Sequence, residues 1–217
     1  MRSKQGTFQF NTSVAFPISA LILLVFVLLG INFWQSVDDR MPVNAVANVL
    51  PSPKKINHFQ LVTSDNKPLS TTNLTAHWTL LYFGYTRSNS TSPNTLSLLN
   101  RIYNMLQTDY PTLQVMFVSL DPERDTLDEI KDFTASFNKN FIGATGTIDE
   151  LQELENQLGI QLKRTSSVAN VDNYQINYTN TILLINPDAK LQATFPANAK
   201  PDEARLAFEE MVRNHLS

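Results

Sequence analysis

Trp78-Thr79-Leu80-Leu81-Tyr82-Phe83-Gly84-Tyr85, followed by Thr86-Arg87-Ser88-Asn89-Ser90-Thr91-Ser92-Pro93, decides how this chain is read. The first half is a near-continuous apolar run, which predicts a central strand buried on both faces. The second half is polar and ends at Ser92, a good helix cap, with Pro93 at the first helical position. Leu96, Leu99, Ile102, Tyr103 and Leu106 then fall on one helical face. In open α/β sheets, sites lie beyond the carboxyl ends of the strands. The loop after Tyr85 is therefore the place to look for chemistry.

Working outward, Phe59 to Val62 alternates like a short strand, Ser64 to Lys67 reads as a turn, and Pro68-Leu69-Ser70 begins the return. Leu113 to Leu120 is a second apolar strand. It ends in Asp121-Pro122-Glu123-Arg124-Asp125, a segment suited to turning the chain, with Arg124 pairing locally. Thr126 with Glu129 and Thr147 with Glu150 have capping-box spacing and open two further helices. Phe141-Ile142-Gly143 is a short extended piece, and Gly159 is a natural helix stop. Ile182 to Ile185 and Lys190 to Phe195 form a hairpin, and Pro201 opens a last helix with Ala204, Phe208, Met211 and Val212 inward. Strands alternating with helices imply an α/β sheet with parallel pairs. A hairpin closing such a sheet before a final helix is the thioredoxin arrangement.

No charge occurs between Lys4 and Asp38, and Val14 to Trp34 is apolar all round. At about 1.5 Å per residue this run covers roughly 31 Å, the thickness of a bilayer's hydrocarbon core. Arg2 and Lys4 before it and Asp38-Asp39 after it predict a cytoplasmic N-terminus. The expected organisation is a cytoplasmic segment 1–13, a transmembrane anchor 14–34, a Pro-containing tether 35–53 and a globular domain 54–217. A cleaved leader is the competing reading, because Ala45-Val46-Ala47 resembles a cleavage site. The apolar run is longer than the usual leader core, which favours an uncleaved anchor. The domain is expected outside the inner (plasma) membrane, in the periplasm if the source is bacterial.

The chain has 17 basic and 20 acidic residues, a formal net charge of −3, and no cysteine. The balance argues against a nucleic-acid partner. The absence of cysteine removes disulfides, thiolate metal sites and thiol-dependent disulfide exchange or peroxidase chemistry.

Several spaced segments together resemble the Sco/SenC family, membrane-anchored copper proteins that help assemble the copper centre of cytochrome c oxidase. The resemblance runs from about Leu50 to the C-terminus. Leu80 to Thr86 is similar to the family's strand entering a C-x-x-x-C loop. Ser119-Leu120-Asp121-Pro122-Glu123-Arg124-Asp125-Thr126 resembles its S-x-D-P-x-R-D-T segment, and Phe141 to Gly146 its F-x-G-L-T-G segment. Tyr174 to Pro187 aligns with the stretch carrying the family's ligand histidine. By this alignment the two cysteine positions are Ser88 and Ser92, and the histidine position is Tyr178. All three ligands that the resemblance implies for copper are replaced by oxygen-bearing side chains. Copper(I) is soft and prefers sulfur or imidazole. No cofactor is therefore expected, and no catalytic residue is assigned.

Serine nucleophilic catalysis needs a base within hydrogen-bond reach. His77 precedes the central strand, roughly 23 Å of extended chain away from the serines. His58 begins the first strand, and His215 lies near the C-terminus. All three are read as surface residues, Met116 as core and Met105 as core or helix surface. The sequence thus reads as a single-pass, membrane-tethered thioredoxin-like pseudo-enzyme, a non-catalytic accessory factor in oxidase assembly or copper homeostasis. Its expected partner is a cytochrome oxidase subunit or assembly factor. The alternative is a tethered interaction domain unrelated to oxidase assembly.

Overall fold

The computed structural model describes residues 46–165 and 174–216. The expected anchor 14–34 lies outside the described residues, among which no helix is long and apolar enough to cross a membrane. The elements are β1 (Asn48–Lys55), β2 (Gln60–Thr63), β3 (Pro68–Ser70), β4 (Trp78–Gly84), α1 (Thr91–Leu106), β5 (Leu113–Ser119), α2 (Leu127–Phe137), β6 (Ile142–Thr145), α3 (Ile148–Leu158), β7 (Leu162–Thr165), β8 (Gln175–Tyr178), β9 (Thr181–Ile185), β10 (Lys190–Pro196) and α4 (Pro201–His215). Eight strands form one sheet in the order β1-β10-β9-β4-β5-β6-β2-β3, and β7 and β8 make a separate two-stranded hairpin.

β4 lies at the centre, parallel to β5 and antiparallel to β9. Its side chains alternate between the two faces, as strand geometry requires. Trp78, Leu80 and Tyr82 pack with Leu96 and Leu99 of α1, Ile130 of α2 and Phe208 of α4. Leu81 and Phe83 pack on the other face with Leu151, Leu154 and Leu158 of α3 and with Leu61 and Leu69 of β2 and β3. Burial on both faces is why the whole strand is apolar. Removing one such side chain from water is worth about 1.5–3 kcal/mol. The helix signals hold: both capping boxes form, and Gly159 ends α3 with φ of 74°. Only glycine adopts that left-handed cap without strain.

Two features differ from the sequence reading. The folded part begins before residue 54, because β1 starts at Asn48 inside the expected tether and pairs with β10. Pro51 and Pro53 fall where the register shifts between Val49 and Lys54, so no ladder bond is demanded of them. The β7–β8 hairpin was also absent from that reading. It carries Tyr178, and it is placed by Tyr174 at its foot.

Candidate functional site

The end of β8 meets the start of α1 and so brings two of the three predicted ligand positions, 92 and 178, into contact. Ser92 Oγ lies 3.2 Å from Tyr178 Oη. Ser88 is one step away, its Oγ accepting the Ser92 amide proton at 3.2 Å. This corrects the reading of Ser92 as the helix cap. The cap position is Ser90, whose side chain makes no capping bond. Ser88 satisfies an amide of the first turn instead, and Ser92 faces inward, fully buried. Its Oγ accepts the amide proton of Tyr85 at 3.2 Å. Gly84 leaves room for this, since a Cβ there would come within 2.6 Å of Ser92 Oγ.

The bonds around Tyr178 run in one direction. The Tyr85 amide can only donate, so Ser92 Oγ accepts from it. Tyr82 Oη donates to Asn180 Oδ1 at 3.1 Å. A phenol has one proton, so Tyr82 must accept from Tyr178, 2.8 Å away. Tyr178, its own proton committed, then accepts from Ser92. The order is Tyr85 N–H to Ser92 to Tyr178 to Tyr82 to Asn180. Tyr85 adds a ring edge against Tyr178, with centroids 6.1 Å apart, and donates its hydroxyl to Gln175 at 2.9 Å. Burial, the largest influence, pushes the phenols of both Tyr178 and Tyr82 upward. Both stay protonated near neutral pH.

The neighbouring loop is held by two buried carboxylates. Asp125 accepts from the Thr86 amide at 2.9 Å, from Thr86 Oγ1 at 2.5 Å and from Ser119 Oγ at 2.5 Å. Asp121 takes the Arg124 guanidinium through Nε and Nη2, each at 2.6 Å. The guanidinium lies 3.6 Å from the centre of the Tyr174 ring, and the Tyr174 hydroxyl donates to Asp121. Burial first, then that hydrogen bond, pushes the Tyr174 phenol up to about 12. The Asp121–Asp125 segment is thus the structural turn expected, with Thr126 as the cap of α2. It also anchors the foot of β8.

The histidines stand apart from these serines in their contacts. His77 Nδ1 bonds the Thr75 carbonyl at 2.9 Å, and His215 packs in α4 against Trp78, its ring 5.3 Å away. Met116 is core, and Met105 lies on the helix surface at 37 % exposure. Tyr82 and Asn180 were missed by sequence reasoning. Tyr82 looks like any core aromatic of a central strand, and nothing local marks its phenol as reaching β8.

The donor set does not fit copper(I). Two neutral hydroxyls and a protonated phenol offer no soft or anionic atom. Among the described residues no group of three or more His, Cys, Asp or Glu side chains could hold a metal ion.

The sheet order, the helices on both faces and the strand–loop–helix site define a thioredoxin-like α/β domain of the Sco type. The SCO1/SenC profile matches residues 49–213, and the chain belongs to the SCO1/SenC family. It is 26% identical over 172 residues to a SCO2-like protein of Rickettsia felis, covering 79% of this chain and 86% of that one. Yeast Sco1 with copper bound shares the fold at a TM-score of 0.68 and 23% identity, covering 74% of this chain and 90% of that one. BsSco, described as a member of the Sco family of cytochrome c oxidase assembly proteins, matches at a TM-score of 0.60 and 19% identity, covering 75% and 96%.

Proposed function

We propose that this chain is a membrane-anchored accessory factor in cytochrome c oxidase assembly or copper homeostasis that works by binding a partner, without metal transfer or thiol chemistry. Residues 14–34 serve as its single-pass anchor, with the N-terminus in the cytoplasm and the domain outside the membrane. Family membership supports the pathway. The 3.2 Å contact between Ser92 Oγ and Tyr178 Oη supports the loss of chemistry, because oxygen meets oxygen where the family resemblance places sulfur and imidazole. A serine–tyrosine pair without a nearby base also has no route to a nucleophile.

The test is to delete the gene and assay cytochrome c oxidase activity at limiting copper, with the wild-type gene restored as control. The expected result is reduced oxidase that returns with the gene. Normal oxidase at low copper would overturn the proposal and leave the domain as an interaction module of another pathway.

A further inference from the structure

Between the β2–β3 hairpin at the end of the sheet and the N-terminal ends of α2 and α3 lies an open cleft of about 960 Å³. Its apolar wall is built by Leu61, Val62, Pro68, Leu69, Pro122 and Leu127. Its carboxylates are Asp125 and Glu150, and among the described residues no lysine or arginine lines it. Asp125 joins the cleft to the site loop, because the same carboxylate holds Thr86. The first turns of the two helices add acid at the rim. Asp128 and Glu129 open α2, and Asp149 and Glu150 open α3. Asp128 and Asp149 are exposed. The cations of the same region are engaged. Lys131 pairs with Asp65 at 2.9 Å and Arg87 with Glu129 at 3.2 Å, and Lys67 acts on the same Asp65. Ile148, between Thr147 of the cleft wall and Asp149, is 41 % exposed and extends the apolar surface past the rim.

We propose that this cleft is where the protein engages its partner, and that the occupant is a segment of a partner protein carrying an apolar side chain flanked by lysine or arginine. Charge complementarity selects the cations: a negative rim steers and holds a positive segment. It also repels the phosphates of lipid surfaces and nucleic acids. The spread of the carboxylates selects a chain over a compact ligand. They stand on α2, on α3 and on the turn before α2, and among the described residues no group of three or more His, Cys, Asp or Glu could hold a metal ion. Cations spaced along a segment match such a spread, whereas a metal ion needs its ligands converging on one point. The apolar wall takes the side chain between them, since burying apolar surface is favourable. Strand addition at the sheet edge is closed off. Pro68 of β3 has no amide proton, and the Ser70 amide is already given to Asn73 Oδ1 at 2.9 Å. The segment is therefore held by its side chains. This inference rests on the accessory-factor reading and gives its partner a chemistry.

The experiment is photo-crosslinking of the full chain in living cells. A benzophenone-bearing phenylalanine replaces Gln60, an exposed residue of the cleft wall. The captured peptide is then mapped by mass spectrometry. The expected product is a segment of another protein with basic residues around an apolar one. Asp128→Lys combined with Asp149→Lys reverses the exposed rim charge. It should cut the product about tenfold and restore oxidase poorly in the deletion strain at normal protein levels. The milder pair Asp128→Asn and Asp149→Asn should cut it about threefold, and serves if the reversal lowers the protein level. An acidic or uncharged segment, a second copy of this chain, no product at all, or a product unchanged by both pairs overturns the proposal. If deletion itself leaves oxidase normal, the accessory reading fails, and the crosslinked segment and its dependence on Asp128 and Asp149 still decide the cleft.

Discussion

Asp125 grips Thr86 twice, taking the amide proton on one carboxylate oxygen at 2.9 Å and the hydroxyl proton on the other at 2.5 Å. Thr86 is the first residue after the Tyr85 turn into the site loop, and Asp125 comes from the turn beyond the neighbouring strand. The carboxylate is 2 % exposed and also holds Ser119. Asp125→Ala leaves one buried and two part-buried donors without their acceptor. Bonds to a charged group are worth about 1.5–3 kcal/mol each, and partial rehydration recovers some of that. The expected net loss is about 3–4 kcal/mol, read as a lowered urea midpoint with an unchanged slope. Asp125→Asn keeps one accepting oxygen and should lose about half as much. A cost under ~1 kcal/mol for the alanine variant would mean that the loop is held elsewhere.

Arg124 makes a second such test with a different signature. Asp121 is fully buried, and the guanidinium is its ion-pair partner. Removing one member of a buried pair strands the other, at about 3–5 kcal/mol. Arg124→Ala should therefore destabilise by that amount. Arg124→Lys keeps the charge but loses the paired geometry and the stacking on Tyr174, and should fall between. Thermal unfolding in near-neutral buffer distinguishes the three proteins. Equal stability of all three would show that Asp121 is satisfied without Arg124.

The strongest sequence signals were those set by two-sided or one-sided burial. β4 and β5 were legible because both faces are covered, and α1 because Leu96, Leu99, Ile102 and Leu106 share one buried stripe. The capping boxes of α2 and α3 were legible because they are local chemistry. β1 was not, since Pro51 and Pro53 argue against a strand and only the shift in pairing with β10 accommodates them. The position of the site and the closeness of residues 92 and 178 followed from topology and resemblance. The hydrogen-bond direction did not, because it depends on Tyr82 and Asn180 meeting across elements far apart in sequence. The sequence does not single out Ser90 as the cap position, because Ser88, Ser90 and Ser92 are chemically alike and only the fold selects among them.

The phenols give a pH prediction. Burial raises Tyr178, Tyr82 and Tyr174 above the ordinary tyrosine value of 10, the last to about 12. Between those values the unfolded chain has released protons that the folded chain still holds. Stability therefore falls as pH rises across this window, and the contribution is fully present below pH 10. Ultraviolet titration of phenolate should show these groups ionising late, with the last steps coinciding with loss of structure. Tyr178→Phe should remove one late step. Ionisation of all six tyrosines together near pH 10, with the fold intact, would contradict the buried hydroxyl chain.

The last prediction concerns copper itself. The protein, mixed with one equivalent of copper(I) and a competing chromogenic chelator, should leave the metal with the chelator. Serine hydroxyls remain protonated, and the Tyr178 phenol is pushed further from ionising by burial. A soft cation has no partner among such atoms. The backbone nevertheless still presents residues 88, 92 and 178 to one another, and Gly84 still keeps space open at Ser92. If side-chain identity alone removed the metal, Ser88→Cys, Ser92→Cys and Tyr178→His together should restore retention of one equivalent against the same chelator. Hydrogen exchange at β4 and β5 would confirm that the triple variant is folded. The two cysteines without the histidine should hold copper(I) more weakly, because the tyrosine keeps its bond to Tyr82 and contributes no imidazole. A folded triple variant that still surrenders its copper would show that the cradle, and not only its ligands, has changed. Sub-micromolar retention by the unmodified chain would overturn the oxygen-for-sulfur account of the site.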